Sequence, residues 1–406
     1  MRDLVQIDAF LGFTLAILLL FVGKGLAERV APLRRYGIPE PVVGGMLCAL
    51  AVCVLYYGFG LRVEFDLGAR DMLLLYFFAA LGINSDIRAL FKGGRLLVVL
   101  VVLASAFMVM QNGVGMALAS LFGMDPRAGL MVGSVSLTGG VGTTLAWTPH
   151  FAQVLGIEGA GELGLAANMI GLVAACVIGG PIAGSLIRRY PVMPSADADL
   201  EVGTLYGDTS RQRLNYYGVL LAVFWLNVAL MLGHGIGALI ATTGLNLPAF
   251  VGCLLAGILM RALGDLLSPP RGGRLWRYDS MQPGIALISD ISLGLFLTMA
   301  LMGLQLWALQ PMLAFITVTM TLQIVMVVLF TMLVVFRAMG RDYEAAVICA
   351  GFGGITLGST ATAVANMSAV TREYGAAPKA FVVVPLVCGF FIDLINAVVI
   401  GLMAGS

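Results

Sequence analysis

Ser134-Val-Ser-Leu-Thr-Gly-Gly-Val-Gly-Thr-Thr144 carries too many glycines and hydroxyls for a helix that faces lipid, yet apolar sequence flanks it on both sides. Inside a bilayer, irregular backbone is tolerated only where it is buried in protein or lines a wet cavity. The stretch therefore reads as a re-entrant loop rather than a span. A second one, Gly351-Phe-Gly-Gly-Ile-Thr-Leu-Gly-Ser-Thr-Ala-Thr362, runs on to Asn366. Each follows a short polar break, Gly123-Met-Asp-Pro-Arg127 and Gly340-Arg-Asp-Tyr-Glu344. A matched pair of interrupted apolar segments in corresponding places of two halves points to a binding site of the transporter kind.

Composition supports a membrane setting. Of the 406 residues 60% are hydrophobic and 11% charged, against about 25% charged in soluble proteins. The mean hydropathy of +0.99 and repeated apolar runs near the length of a bilayer span predict a polytopic α-helical membrane protein. A net charge of +1 offers no basic field for nucleic acid, so no nucleic-acid partner is expected. Residues 1–23 lack a charged start followed by a small-residue cleavage site, and are read as a retained first helix. The six cysteines fall in apolar segments without a CxxC pair, which makes them buried small hydrophobes rather than a metal or disulfide framework.

The chain divides into two halves. In the first, a span is expected near 7–22, a second opening at Pro39-Glu-Pro41, a third from just after Asp71 to about 84–86, and others near 95–122 and 163–187, with a hairpin at about 127–155. A polar stretch follows, and then spans near 214–241, 247–263, 285–306, 312–335 and 379–403, with a hairpin at about 344–371. The expected domains are a first repeat at 1–190, a cytoplasmic linker at 191–212 and a second repeat at 213–406. Pro41-Val-Val-Gly-Gly45 recurs loosely as Pro248-Ala-Phe-Val-Gly252, and Phe78-Ala-Ala-Leu-Gly-Ile-Asn84 as Met299-Ala-Leu-Met-Gly-Leu-Gln305. Five spans per half is an odd number, so the second repeat must be inverted relative to the first. Charge tests this topology. Alternating loops place Arg2, Arg62, Arg70 and Arg127 on one side and the other 19 of the 23 basic residues on the opposite side. The richer side is cytoplasmic, which puts both termini outside and the linker inside.

Helix N-termini at hairpin tips aim N–H groups at anions, and unwound carbonyls coordinate sodium. The candidate substrate-binding residues are Thr138, Gly139, Gly140, Gly142, Thr143 and Thr144 in the first hairpin, with Ser359, Thr360, Thr362 and Asn366 in the second. Ser136, Gly353, Gly354 and Thr356 are the candidate sodium ligands. The competing explanation for all of them is close helix packing, which also selects glycine and hydroxyls. Asp393, in Phe390-Phe-Ile-Asp-Leu-Ile-Asn396, is the carboxylate deepest in a span, and such a group is a functional hypothesis by default. It could face an ammonium, a sodium ion or a proton, or be a partnered buried acid. Asn396 lies on the same helix face. Gln111, Asn112, Asn168 and Gln323 are further intramembrane amides, equally suited to hydrogen bonds between helices. His150 and His234 have no metal-ligand partner at usable spacing and are read as structural.

Several blocks together resemble the bacterial sodium/glutamate symporter family. They are Ser136-Leu-Thr-Gly-Gly-Val-Gly-Thr143, Ala363-Val-Ala-Asn-Met367, Phe390-Phe-Ile-Asp-Leu-Ile-Asn-Ala397, Pro39-Glu-Pro-Val-Val-Gly-Gly45, Met299-Ala-Leu-Met-Gly-Leu304 and Met108-Val-Met-Gln-Asn112. The likeness runs essentially end to end. It implies a homodimeric secondary transporter in the bacterial inner membrane, moving glutamate with Na+ by an elevator motion. The fold so implied is two inverted repeats of five helices, each with a re-entrant hairpin. Val141 stands where Gly-Gly-His-Gly is common in that family. Two alternatives compete: a sodium-coupled di- or tricarboxylate carrier, and an intramembrane aspartyl hydrolase. The hydrolase needs two facing carboxylates that share a proton.

Overall fold

The computed structural model describes residues 3–31, 33, 39–85, 90–190, 215–242, 247–267, 276 and 278–405. The expected linker at 191–212 lies outside the described residues, as do Arg2, Arg34, Arg35, Arg88, Arg213, Arg271, Arg274 and Arg277. Seven described helices are long and apolar enough to cross a membrane, and an eighth counts if a bent pair near the C-terminus is one span. The helix Gly68–Asn84 and the apolar part of Ala249–Leu267 are shorter.

Cα packing groups the chain into two compact units, one of residues 1–87, 212–310 and 406, the other of residues 88–211 and 311–405. This division cuts across the expected halves, because each half contributes to both units.

The first unit contains β1 (Asp3–Ile7), α1 (Ala9–Arg29), α2 (Glu40–Phe59), β2 (Leu61–Phe65) and α3 (Gly68–Asn84). From the second half come α8 (Tyr216–Ala241), α9 (Ala249–Leu267) and α10 (Tyr278–Met302). The strands pair in parallel, Asp3 opposite Leu61 through Ile7 opposite Phe65. Neither strand was expected. Leu61-Arg-Val-Glu-Phe65 alternates apolar and polar residues at the strand period, whereas Asp3-Leu-Val-Gln-Ile7 does not. Asp8 then caps α1, its carboxylate accepting the N–H groups of Phe10 and Leu11 at 3.0 and 3.1 Å. Helices in this unit meet across missing side chains. A Cβ on Gly44 would fall 2.1 Å from the Leu19 carbonyl oxygen, and one on Gly82 would fall 2.3 Å from that of Leu254.

The second unit contains α4 (Leu90–Leu121), the short α5 (Ala128–Met131), α6 (Gly140–Pro149) and α7 (Ala160–Arg189). It continues with α11 (Leu313–Phe330), α12 (Phe336–Ala338), α13 (Tyr343–Leu357), α14 (Thr360–Tyr374), α15 (Pro378–Leu386) and α16 (Ile392–Ala404). Of the first glycine-rich stretch, Ser134 to Thr138 lie in successive turns that begin at Val132, whereas Gly140 to Thr144 are helical. The second glycine-rich stretch differs. Gly351 through Leu357 are helical, and the chain breaks only at Gly358-Ser359. The reason is packing between the limbs: a Cβ on Gly354 would fall 2.5 Å from the Ala363 backbone, so this glycine serves close approach and not unwinding.

The last span was expected to be continuous from 379 to 403. It is bent by 44° instead, with a π-helical turn at Val387–Phe391 joining α15 to α16. Pro385 precedes this turn. Proline removes an intrahelical hydrogen bond, and π turns often mark functional sites. Asp393 follows directly, in the first turn of α16.

Candidate functional site

Within the second unit the two hairpin tips meet. A Cβ on Gly140 would lie 3.4 Å from the Gly358 carbonyl oxygen. Gly140 begins α6 with φ +74°, a backbone conformation that favours glycine. No side chain caps the N-terminus of α6. The Gly139 and Gly140 N–H groups donate to the Ser134 and Ser136 carbonyls at 2.9 and 3.1 Å, so the donors this helix end can offer an anion are those that follow, from Val141 to Thr143. Nothing lies within 4 Å of the Cβ position of Gly142, which leaves open space beside those donors. The second tip is closed more tightly. Ser359 caps α14, its hydroxyl accepting the Thr362 N–H at 3.3 Å, and the two side-chain oxygens lie 3.1 Å apart.

Both tips converge on the bend of the last span. The Thr143 hydroxyl reaches toward the Asp393 carboxylate at 3.5 Å, a long contact, and Thr143 itself is buried. The Cys388 thiol, on the π-helical turn, lies close to Thr360 at the second tip and within electrostatic range of Asp393. Asp393 is half-buried. The structure thus gathers Gly140, Gly142, Thr143, Thr360 and Asp393 into one locus.

The other expected site residues are placed differently. Thr144 donates to the Gly140 carbonyl of its own helix at 2.7 Å. Gly139 packs tightly against the Thr143 side chain. Thr138 donates to Gln111 Oε1 at 2.6 Å, and Gln111 Nε2 donates to the Thr356 carbonyl at 2.8 Å. Gln323 in turn donates to the Gln111 carbonyl at 2.8 Å. Asn366 donates to the carbonyls of Ala175 and Ala350. Asn396 exchanges two bonds with Ser134, accepting from its hydroxyl at 2.6 Å and donating to its carbonyl at 2.9 Å. Although Asn396 shares a helix face with Asp393, its amide is committed to the first hairpin. Among the expected sodium ligands, Gly353 faces Ile178 and Ile182, and the Gly354 carbonyl accepts the Gly358 N–H. Ser136 is buried and lies beside Asn168.

Cys388, expected only as a buried thiol, sits on the π-helical turn of a span expected to be straight. The signal was present in Pro385 with Gly389, two helix-weakening residues four apart just before Asp393. At the base of the first hairpin, outside the apolar segments, Arg127 forms an ion pair with Asp125 at 2.6 Å. The side-chain hydrogen bond from Arg127 holds the Asp125 carboxyl below the usual carboxylate range. Among the described residues no group of three His, Cys, Asp or Glu side chains could hold a metal ion.

Comparison with known proteins identifies the family. A family model described as sodium/glutamate symporter matches residues 5–376. The sodium/glutamate symporter of Escherichia coli (strain K12) is 38% identical over 402 residues, covering 98% of this chain and 97% of the relative. That of Haemophilus influenzae is 35% identical over 387 residues, covering 94% of each chain. These relatives are transporters, so the hydrolase reading is set aside. A family model that covers most of the chain and relatives matched over nearly its whole length make one conclusion plain: the chain belongs to the sodium/glutamate symporter family.

Proposed function

We propose that this chain carries glutamate into the cell together with sodium, by alternating access. The observation that carries this reading is the convergence of both hairpin tips on Asp393. Glutamate presents two carboxylates and one ammonium. The uncapped N-terminus of α6, with the hydroxyls of Thr143 and Thr360, suits the carboxylates, and Asp393 has the sign needed for the ammonium. A di- or tricarboxylate would have no use for Asp393 and would be repelled by it. Sodium suits a site of neutral oxygens such as this unit's buried hydroxyls, amides and carbonyls, because hard cations take oxygen ligands.

In this reading the two halves are inverted repeats and the two hairpins are re-entrant. Gly68–Asn84 and Ala249–Leu267 complete five spans per half. The unit bearing the hairpins moves in an elevator motion, while the other stays fixed in the lipid bilayer and pairs with a second copy. The site is bacterial inner membrane, with both termini outside. Purified protein in liposomes should accumulate radiolabelled glutamate when a sodium gradient is imposed at constant pH, and should exclude citrate and succinate. Uptake that ignores sodium and follows a pH gradient would sink the coupling, and preferential citrate uptake would sink the substrate. For orientation, a cysteine at Ser406 should react with an impermeant thiol reagent in intact cells and one at Ser195 should not; the reverse pattern would refute the topology.

A further inference from the structure

Two serines of the first hairpin, two residues apart, each meet an asparagine from a different helix. Ser134 and Asn396 of α16 close a reciprocal pair, with the hydroxyl bonded to Oδ1 at 2.6 Å and Nδ2 bonded to the serine carbonyl at 2.9 Å. Ser136 and Asn168 of α7 form only half of the same arrangement. Asn168 Nδ2 donates to the Ser136 carbonyl at 2.7 Å. The other half is missing: both Ser136 Oγ and Asn168 Oδ1 lack a hydrogen-bond partner. Both residues are fully buried, at 0% and 1% exposure. Buried polar atoms without partners are rare and each calls for a physical reason. Ser134–Asn396 shows that this backbone can close the pair, so the open one leaves two oxygens free for something else.

Their surroundings favour a cation. The Nδ2 bond fixes the amide so that an oxygen, an acceptor without a proton, is the unused atom. One helical turn along α7, Gly171 abuts the last carbonyl of α13: a Cβ there would fall 2.5 Å from the Leu357 oxygen and 2.8 Å from the Leu137 side chain. The C-terminal end of a helix carries partial negative charge, and such ends coordinate sodium in transporters with broken helices. Neutral oxygens with no anionic side chain among them suit a monovalent hard cation better than a transition metal.

We infer that Ser136 Oγ and Asn168 Oδ1, together with the Leu357 carbonyl, hold a transported sodium ion between the first hairpin and α7. The inference rests on the sodium-coupled reading above and assigns it a place. It also makes mechanical sense, because an ion at this point ties the unwound segment of one hairpin to the helix end of the other. Binding it orders residues 132–139, from which the substrate-facing α6 begins.

The test uses purified full-length protein in detergent, titrated with NaCl at constant ionic strength against KCl, with thermal stability as the readout. Wild type should be stabilised by sodium over potassium. Ser136→Ala keeps the carbonyl that Asn168 binds and removes only the hydroxyl. It should raise the half-saturating sodium concentration about tenfold or more, as loss of a charge-assisted partner implies. At saturating sodium its glutamate affinity should match wild type. Ser136→Cys, close to native size, should move sodium in the same direction and covers the case in which the alanine variant does not fold. Ser134→Ala is the control: it breaks the closed pair and should lower stability in both salts equally. A wild-type sodium response in both Ser136 variants would overturn the site and leave the coupled-transport reading standing. Absence of any sodium response in wild type, in stability and in uptake alike, would overturn both.

Discussion

In the unit of residues 1–87 and 212–310, the buried polar side chains among the described residues are Ser85, Ser292 and Thr298. Ser85 and Thr298 bond carbonyls of their own helices, at 2.8 and 2.9 Å, and Thr298 makes one long contact, 3.5 Å, to the Pro41 carbonyl. The helices there meet through glycines pressed against backbone, as at Gly44 and Gly82. The unit of residues 88–211 and 311–405 buries Gln111, Asn112, Ser134, Thr138, Asn168, Gln323, Asn366 and Asn396 among others. Their bonds run between elements, for example α4 to α13 through Gln111 and α16 to the first hairpin through Asn396. Apolar packing through small residues suffices to join helices in lipid. Buried amides are costly unless satisfied. A unit filled with them is therefore organised around something other than adhesion: holding irregular backbone, and with it the ligand site, in one arrangement.

The sharpest way to break this comparison is to make the same substitution in both units. Gly44→Leu drives a side chain into the Leu19 carbonyl, where even a Cβ would sit at 2.1 Å. It should abolish recovery of monodisperse protein by size-exclusion chromatography. Gly142→Leu enters open space and should give wild-type yield and elution, yet eliminate glutamate uptake because the side chain occupies the substrate's place. If Gly142→Leu transports normally, the open space at the tip is not the site.

Asp393→Asn comes next in size. It preserves shape and removes the charge, so the protein should fold and elute as wild type. Removing one partner of a buried charge pair costs about 2–5 kcal/mol, or roughly thirty-fold to several thousand-fold in glutamate affinity. Glutarate, which lacks the amino group, should be affected far less. Normal glutamate affinity with a much higher sodium requirement would move Asp393 from the substrate to the ion.

The smallest effect distinguishes an amide that supports the site from one that fills it. Gln111→Leu strands the Thr138 hydroxyl and the Thr356 carbonyl, each worth about 1–3 kcal/mol when buried without a partner. Its melting temperature should fall by several degrees while glutamate affinity changes little. Gln323→Leu loses a single donor and also removes an unpartnered buried oxygen, so its loss of stability should be smaller. Equal destabilisation would mean that the network through Gln111 is not the element holding the hairpin.

Much of the site could be read in the chain because bilayer physics narrows the options. Glycines and hydroxyls in an apolar context forecast the turns at 132–138, and Asp393 stood out as a carboxylate deep in a span. Asn396 shows where such reasoning stops. Its spacing from Asp393 correctly predicts a shared helix face, but the face does not say that Ser134 already occupies both ends of its amide. Gly353 and Gly354 show the same limit from the other side. Glycine serves unwinding and close packing equally well, and only the nearness of Ala363 to Gly354 tells which applies.

By itself the sequence determined that this is a polytopic helical membrane protein of the sodium/glutamate symporter family, with two glycine-rich stretches in apolar surroundings. Those properties are written in hydropathy, local backbone preference and contiguous motifs, all of which act over a few neighbouring residues. Tertiary structure decided how the pieces are shared out. It set the division into two units that cuts across the halves, the meeting of Gly140 with Gly358, the bend that presents Asp393, and the open pair of Ser136 and Asn168. Each depends on contacts between residues tens to hundreds of positions apart, and hydrophobic pattern says which faces are buried without saying which partner each will find.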